Sequence, residues 1–179
     1  MTTRVGFIRG INVGGRAIVQ MAGLRAALTE RGLQNARTYI QSGNVVYEPP
    51  ARAGDSAAAL RSEGRMIAAA IENMHGFTPA VMVLTVQTVA AHLAASPYPD
   101  ADPAKAFMVF ADGDWATLGD LDPYASNGEQ WRLIDGVMHL HCPDGIGRSK
   151  LGARLATTAK IPTTTRNLRT VAKLLELAG

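Results

Sequence analysis

Three blocks of the 179-residue chain combine residue types suited to holding an anion. The first, Phe7-Ile-Arg-Gly-Ile-Asn-Val-Gly-Gly15, sets Arg9 at the end of a strand-like run and follows it with Asn12, Gly14 and Gly15. The second, Tyr39-Ile-Gln-Ser-Gly-Asn-Val-Val46, gathers Gln41, Ser42 and Asn44 around one glycine. The third, Asp144-Gly-Ile-Gly-Arg-Ser-Lys-Leu151 with Thr165-Arg-Asn167, supplies Arg148, Ser149, Lys150, Arg166 and Asn167. Glycine lets main-chain N–H groups approach a ligand closely, and consecutive N–H groups in such turns form anion-binding nests. Arginine adds a planar fork that matches phosphate or carboxylate. The blocks predict a basic cleft lined by Gly and Asn for a phosphate-bearing small molecule or nucleotide. Arg9, Arg148, Lys150 and Arg166 would neutralise its oxygens, and Asn12, Gln41 and Asn44 would orient it.

The elements around these blocks follow from hydrophobic spacing and turn residues. Val5–Arg9 reads as a strand, and the glycines after it break any regular element. Met21, Leu24 and Leu28 recur at helical spacing before Gly32. Thr38–Ile40 and Val45–Tyr47 read as strands joined through Ser42-Gly43. Asp55 or Ser56 can cap a helix with Leu60, Ile67, Ile71 and Met74 on its apolar face, closed by Gly76. Ala80–Leu84 is a further strand, and Thr85 caps a short helix ended by Ser96-Pro97. The order β-α-β-β-α-β is of ferredoxin-like type. In it the first two strands run parallel, so the loops that leave them share one sheet edge.

Pro97, Pro99 and Pro103 mark a junction between a half spanning residues 1–96 and a second spanning 103–179. The second half reads as a strand over Lys105–Phe110 and an acidic segment over Asp112–Asp122 whose pattern fits either a loop or a short helix. A hairpin over Trp131–His141 then turns at Asp135-Gly136, a pair suited to a type I′ turn. Two helices follow, one through Leu151 and Leu155 and one through Leu168, Val171 and Leu175, with Thr163-Thr164-Thr165 read as caps. The fold class is therefore α+β, with a ferredoxin-like half against an incomplete α+β half. In this reading Arg148 and Lys150 begin one helix, and Arg166 and Arg169 begin the other. Cations there oppose the helix dipole by about 0.3–1 kcal/mol each when exposed, and a bound anion would reverse that cost.

These three blocks, in this order and spacing, resemble the family catalogued as domain of unknown function 1697, over essentially the whole chain. The resemblance implies a bacterial, soluble α+β protein and carries no catalytic residue or cofactor with it. In the family pattern Trp commonly follows the Arg-Asn pair, whereas this chain has Leu168. Any stacking that indole provides in relatives is missing here.

Composition narrows the alternatives. At 47% hydrophobic and 18% charged residues, with formal net charge +3, the chain has a globular balance. Residues 1–52 hold seven Arg and two Glu, residues 148–179 four Arg and three Lys against Glu176, and Asp100–Asp122 six Asp and one Lys. Basic ends around an acidic middle fit an anionic partner. The N-terminal residues contain no apolar run of signal-peptide type, and no segment approaches a membrane span. With Cys142 as the one cysteine, a reducing, cytoplasmic setting is expected.

Gly10-x4-Gly15-Arg16-Ala17 approaches a nucleotide-binding P-loop, but Arg16 replaces the lysine and Ala17 lacks the hydroxyl that holds magnesium. Gly145-x-Gly147 lacks the third glycine of a dinucleotide fingerprint. His139, His141 and Cys142 have no second cluster to complete a metal site, so no metal is expected. No carboxylate pair accompanies the three blocks, which disfavours hydrolysis; any catalysis would be group transfer helped by fixed positive charge. A nucleic-acid-binding module is the first alternative, disfavoured by 6% aromatic content. A protein-interaction or regulatory domain with no small ligand is the second.

Overall fold

The computed structural model describes residues 2–51, 53–116 and 118–179. Its elements, in chain order, are β1 (Arg4–Ile8), α1 (Met21–Glu30), β2 (Gln34–Thr38), β3 (Asn44–Glu48), α2 (Ala57–His75), β4 (Val81–Thr85) and α3 (Val86–Ala94). There follow β5 (Ala106–Ala111), β6 (Gln130–Ile134), β7 (Val137–His141), α4 (Lys150–Thr158), β8 (Thr163–Asn167) and α5 (Leu168–Ala178). Single 3-10 turns lie at Asp122–Tyr124 and Ile146–Arg148. Among the described residues the architecture is mixed α+β: five helices and two four-stranded antiparallel sheets, ordered β2-β3-β1-β4 and β6-β7-β5-β8. The chain divides into a first unit, Met1–Ala90 with Lys173–Gly179, and a second unit, Ala91–Ala172.

In the first unit α1 and α2 cover one sheet face. Leu24, Ala27 and Leu28 of α1 and Ile67, Ala70 and Ile71 of α2 meet Ile8, Val45 and Tyr47 in one buried cluster. The i, i+3, i+4 recurrence of these apolar positions is what turns a helix into one wall of a core. Ser56 caps α2 by accepting from the Ala59 amide at 3.2 Å, and Gly76 closes it in the left-handed region. Thr85 accepts from the Thr88 amide at 3.0 Å at the start of α3. Both caps supply acceptors for amides that have no carbonyl partner inside the helix. Because β1 and β2 each pair antiparallel with β3, they run parallel to one another with β3 between them.

In the second unit α4 lies over one face of the β5–β8 sheet. Leu151 and Leu155 join Phe107, Val109, Met138, Leu140, Trp115 and Leu121 in a second buried cluster. The β6–β7 hairpin turns at Asp135-Gly136 with φ of 45° and 82°, the two positive values a type I′ turn requires.

Four elements differ from the sequence reading. The second strand is Gln34–Thr38 rather than Thr38–Ile40. It is a polar edge strand with a register shift between Gln34 and Arg37, so it shows no alternation to read. Thr163–Asn167 is a strand paired with β5, not a helix cap. Three β-branched threonines in a row suit the pleat better than a helix start. Helix α5 therefore begins at Leu168, which puts Arg166 on a strand. Among the described residues of the acidic segment after β5, the regular structure is the 3-10 turn at Asp122–Tyr124.

Candidate functional site

The loop leaving β1 is a miniature hairpin rooted in the core. Its roots, Ile11 and Val19, are buried within the first unit's cluster. Between them Asn12 N–H donates to the Ala17 carbonyl at 3.0 Å and Arg16 N–H to the Val13 carbonyl at 3.1 Å. At the tip Gly14 and Gly15 take φ of 60° and 73°, again a type I′ pair. A two-residue turn of this kind is closed by the flanking residues, so the N–H groups of Gly14 and Gly15 take no part in it. Arg16 follows this turn directly and Arg9 precedes the hairpin, and both are exposed.

Asn12 ties this hairpin to the second block. Its side-chain amide donates to the Gln41 carbonyl at 2.7 Å and the Val19 carbonyl at 3.0 Å, and its oxygen accepts from the Val19 amide at 2.8 Å. The Ile8 amide donates to the Gly43 carbonyl at 2.8 Å. A Cβ on Gly43 would stand 2.5 Å from the Ile8 carbonyl oxygen, and φ there is +80°, so the two chains approach this closely only with glycine at that position. Asn44 is fully buried and donates to the Tyr39 carbonyl at 3.2 Å and to Ser42 Oγ at 3.3 Å. Asn12 thus joins the two loops while Asn44 fixes the second one internally, and Arg9 and Gln41 are exposed at the same edge. Seven of the sequence-derived residues, Arg9, Asn12, Gly14, Gly15, Gln41, Ser42 and Asn44, belong to this one edge of the first sheet.

The other five belong to the second unit. Strands β7 and β8 both pair antiparallel with β5, so they run parallel and their C-terminal ends share an edge. Arg148, Ser149 and Lys150 follow β7 there, and Arg166 and Asn167 end β8. Ser149 caps α4, accepting from the Gly152 amide at 2.8 Å and from the Cys142 thiol at 3.6 Å. Burial pushes the Cys142 thiol pKa up, with the Ser149 contact opposing it, so the thiol stays protonated at neutral pH. Asn167 Oδ1 accepts from the Thr170 amide at 2.8 Å and caps α5. Arg166 donates to Thr164 Oγ1 at 2.7 Å and to the Thr165 carbonyl at 2.8 Å, and burial pushes its pKa down to about 10, which leaves it charged at neutral pH. Arg169, in the first turn of α5, pairs with Asp102 at 3.6 Å. That ion pair, and the placement of Arg166 on β8, remove the argument that α5 begins with two uncompensated cations. Arg148 and Lys150 remain exposed at the start of α4.

Three aliphatic side chains at the first unit's edge carry no signal in the sequence. Val13, Ile18 and Ile40 are 62%, 64% and 52% exposed, although they lie in the same tied loops as Arg16 and Gln41. An isolated aliphatic residue in a loop carries no periodic signal, so nothing marked them beforehand. Among the described residues no group of three or more His, Cys, Asp or Glu side chains could hold a metal ion, and no helix is long and apolar enough to cross a membrane.

Two antiparallel four-stranded sheets, each with its own helical cover, define this chain as a mixed α+β protein. It belongs to the family described as Protein of unknown function (DUF1697), whose model matches residues 1–139. Its fold is similar to that of the conserved bacterial protein SP0830 from Streptococcus pneumoniae, with a TM-score of 0.71 and 24% identity over 99% of each chain. That likeness is one of fold alone. Among curated proteins none matches the chain.

Proposed function

We propose that this protein binds a phosphate-bearing small molecule, and that the tied loops at the edge of the first sheet make the principal contacts. The observation that carries this reading is the hydrogen bond from Asn12 to the Gln41 carbonyl, at 2.7 Å. It fixes two glycine-containing loops side by side, next to exposed Arg9 and Arg16 and the amides of the Gly14-Gly15 turn. Fixed donors of this kind bind an anion without first having to be ordered. The first unit itself reads as ferredoxin-like, supported by its β-α-β-β-α-β order and its β4-β1-β3-β2 sheet. Arg148, Ser149, Lys150, Arg166 and Asn167 are proposed to contribute a second basic set in the second unit. The single, buried Cys142 fits a reducing compartment.

Titration with inorganic phosphate, followed by backbone amide resonances, tests this. Gly14, Gly15 and Arg16 should shift in a saturable way. Arg9→Ala should weaken binding about tenfold or more, the expected effect of losing one charge-assisted hydrogen bond. The reading fails if phosphate leaves these amides unmoved, or if Arg9→Ala binds as the parent does. Arg148→Ala with Lys150→Ala measures the second set in the same titration.

A further inference from the structure

A ligand that was only an anion would need arginines and free amides. The edge of the first sheet offers more than that. Val13 and Ile18 flank the Gly14-Gly15 turn on the two arms of one hairpin, and Ile40 precedes Gln41, whose carbonyl anchors that hairpin. All three are more than half exposed, while Met74 and Leu133, the other exposed large hydrophobics among the described residues, are at 37% and 44%. Among the described residues, the most exposed large aliphatic side chains therefore lie on the two tied loops that carry the glycine turn, Arg16 and Gln41. Their roots explain why they stay exposed: Ile11 and Val19 enter the core, so the hairpin cannot fold its tip back to cover Val13 and Ile18. Exposed aliphatic side chains on loops tied to one another offer a ligand apolar surface that water covers at a cost.

Gln41 adds a third kind of contact. Its carbonyl is engaged by Asn12, while its side chain is exposed. A side-chain amide offers a donor and an acceptor together, the pattern that pairs with the edge of a nucleobase such as adenine. Aliphatic side chains supply a face for a flat ring, and Arg9 and Arg16 supply charge for phosphate. No acidic residue occurs before Glu30, so nothing in this part of the sequence repels an anion.

We infer that the ligand of the tied loops is a nucleotide, with its base against Val13, Ile18 and Ile40, its base edge read by Gln41, and its phosphate on Arg9, Arg16 and the Gly14-Gly15 amides. This rests on the anion-binding reading above and adds the chemical class of the molecule. A sugar phosphate leaves the aliphatic surface uncovered, and a nucleotide covers it.

Isothermal titration with AMP, ribose 5-phosphate and inorganic phosphate separates the two claims. AMP should bind at least tenfold more tightly than ribose 5-phosphate. Val13→Ser with Ile18→Ser should bring AMP down to the ribose 5-phosphate level and leave ribose 5-phosphate unchanged. Gln41→Ala should weaken AMP severalfold and leave inorganic phosphate alone, whereas Arg9→Ala should weaken all three. Both serine positions are exposed, so the fold tolerates them, and a parental unfolding curve verifies it. If AMP and ribose 5-phosphate bind alike, or the serine variant treats them as the parent does, the nucleotide inference is wrong and the anion reading stands. If none of the three binds, both are wrong.

Discussion

The two units order their strands the same way, β2-β3-β1-β4 and β6-β7-β5-β8, and bury polar side chains in opposite ways. In the first, Arg4 is fully buried on β1 and completely partnered. Its guanidinium meets Glu63 at 3.3 Å, Asp55 at 2.8 Å, and the carbonyls of Thr2 and Gly54 at 3.1 and 3.0 Å. Tyr47 donates to the same Glu63 carboxylate at 2.7 Å; burial first, and then that carboxylate, push its phenol pKa well above the ordinary range. In the second unit His139 is equally buried, on β7, and neither of its ring nitrogens has a partner; nor does the Tyr98 hydroxyl. Another imidazole, that of His92, lies 6.1 Å from the His139 ring. An arginine cannot shed its charge, so it enters a core only with partners, whereas a histidine can enter neutral. The first core is thus sensitive to composition and the second to pH.

The largest effect should come from breaking the first arrangement. Arg4→Ala leaves the Glu63 carboxylate buried without its cation and should lower unfolding free energy by about 3–5 kcal/mol in urea titration. Arg4→Met combined with Glu63→Leu removes both charges and should recover most of that loss, because the penalty lies in the unpaired charge rather than in the missing attraction. A double variant as unstable as the single one would show that packing, not charge, is what Arg4 provides.

The second arrangement should respond to acid. Burial, and then His92, push the His139 pKa down to about 4, against 6.5 for an ordinary imidazole. The unfolded chain therefore takes up a proton between these values that the folded protein refuses. Stability is full above pH 6.5, falls as the pH drops towards 4, and levels off below it, as far as this group is concerned. The loss between pH 7.5 and 4.5 should be on the order of 2–3 kcal/mol. His92, whose pKa burial also lowers while Asp135 raises it, adds in the same direction. His139→Leu should flatten the pH dependence, as read from urea midpoints across this range. Parallel curves for variant and parent would assign the acid response elsewhere.

The sequence made some of this contrast readable and hid the rest for identifiable reasons. Helices α1 and α2, the Ser56 and Thr85 caps and the Asp135-Gly136 turn are local features, set by spacing and by turn residues within a few positions. The shared edge of the first two blocks was also readable, because a parallel pair of strands forces it. Arg4 and Glu63 lie 59 positions apart, and no local rule pairs them. Strand β2 was misplaced because an edge strand need not alternate, and β8 because threonine serves caps and strands equally well. The sequence offers Asn12 as an amide free to orient a ligand, and in the structure three hydrogen bonds hold it within the loops; which way a side-chain amide turns is decided by its neighbours in space.

That last residue supplies the finest test of how the two units build the loops at their sheet edges. In the first unit one side chain joins two separate loops, since Asn12 bonds to Val19 twice and to Gln41 once. In the second, Ser149 acts locally, closing the first turn of the helix it begins and contacting Cys142. Asn12→Ala removes three bonds and frees the hairpin from its neighbour, so about 1–2 kcal/mol should be lost. Ser149→Ala removes one cap, an effect of about 1 kcal/mol. Their difference in stability is small, and their difference in dynamics should be larger. Hydrogen exchange at Arg16 and Val19, which donate inside the tied loops, should speed up in Asn12→Ala and be untouched in Ser149→Ala. Unchanged exchange in Asn12→Ala would mean that the Ile11 and Val19 anchors alone fix the hairpin, with Asn12 adding only a contact to a loop already in place.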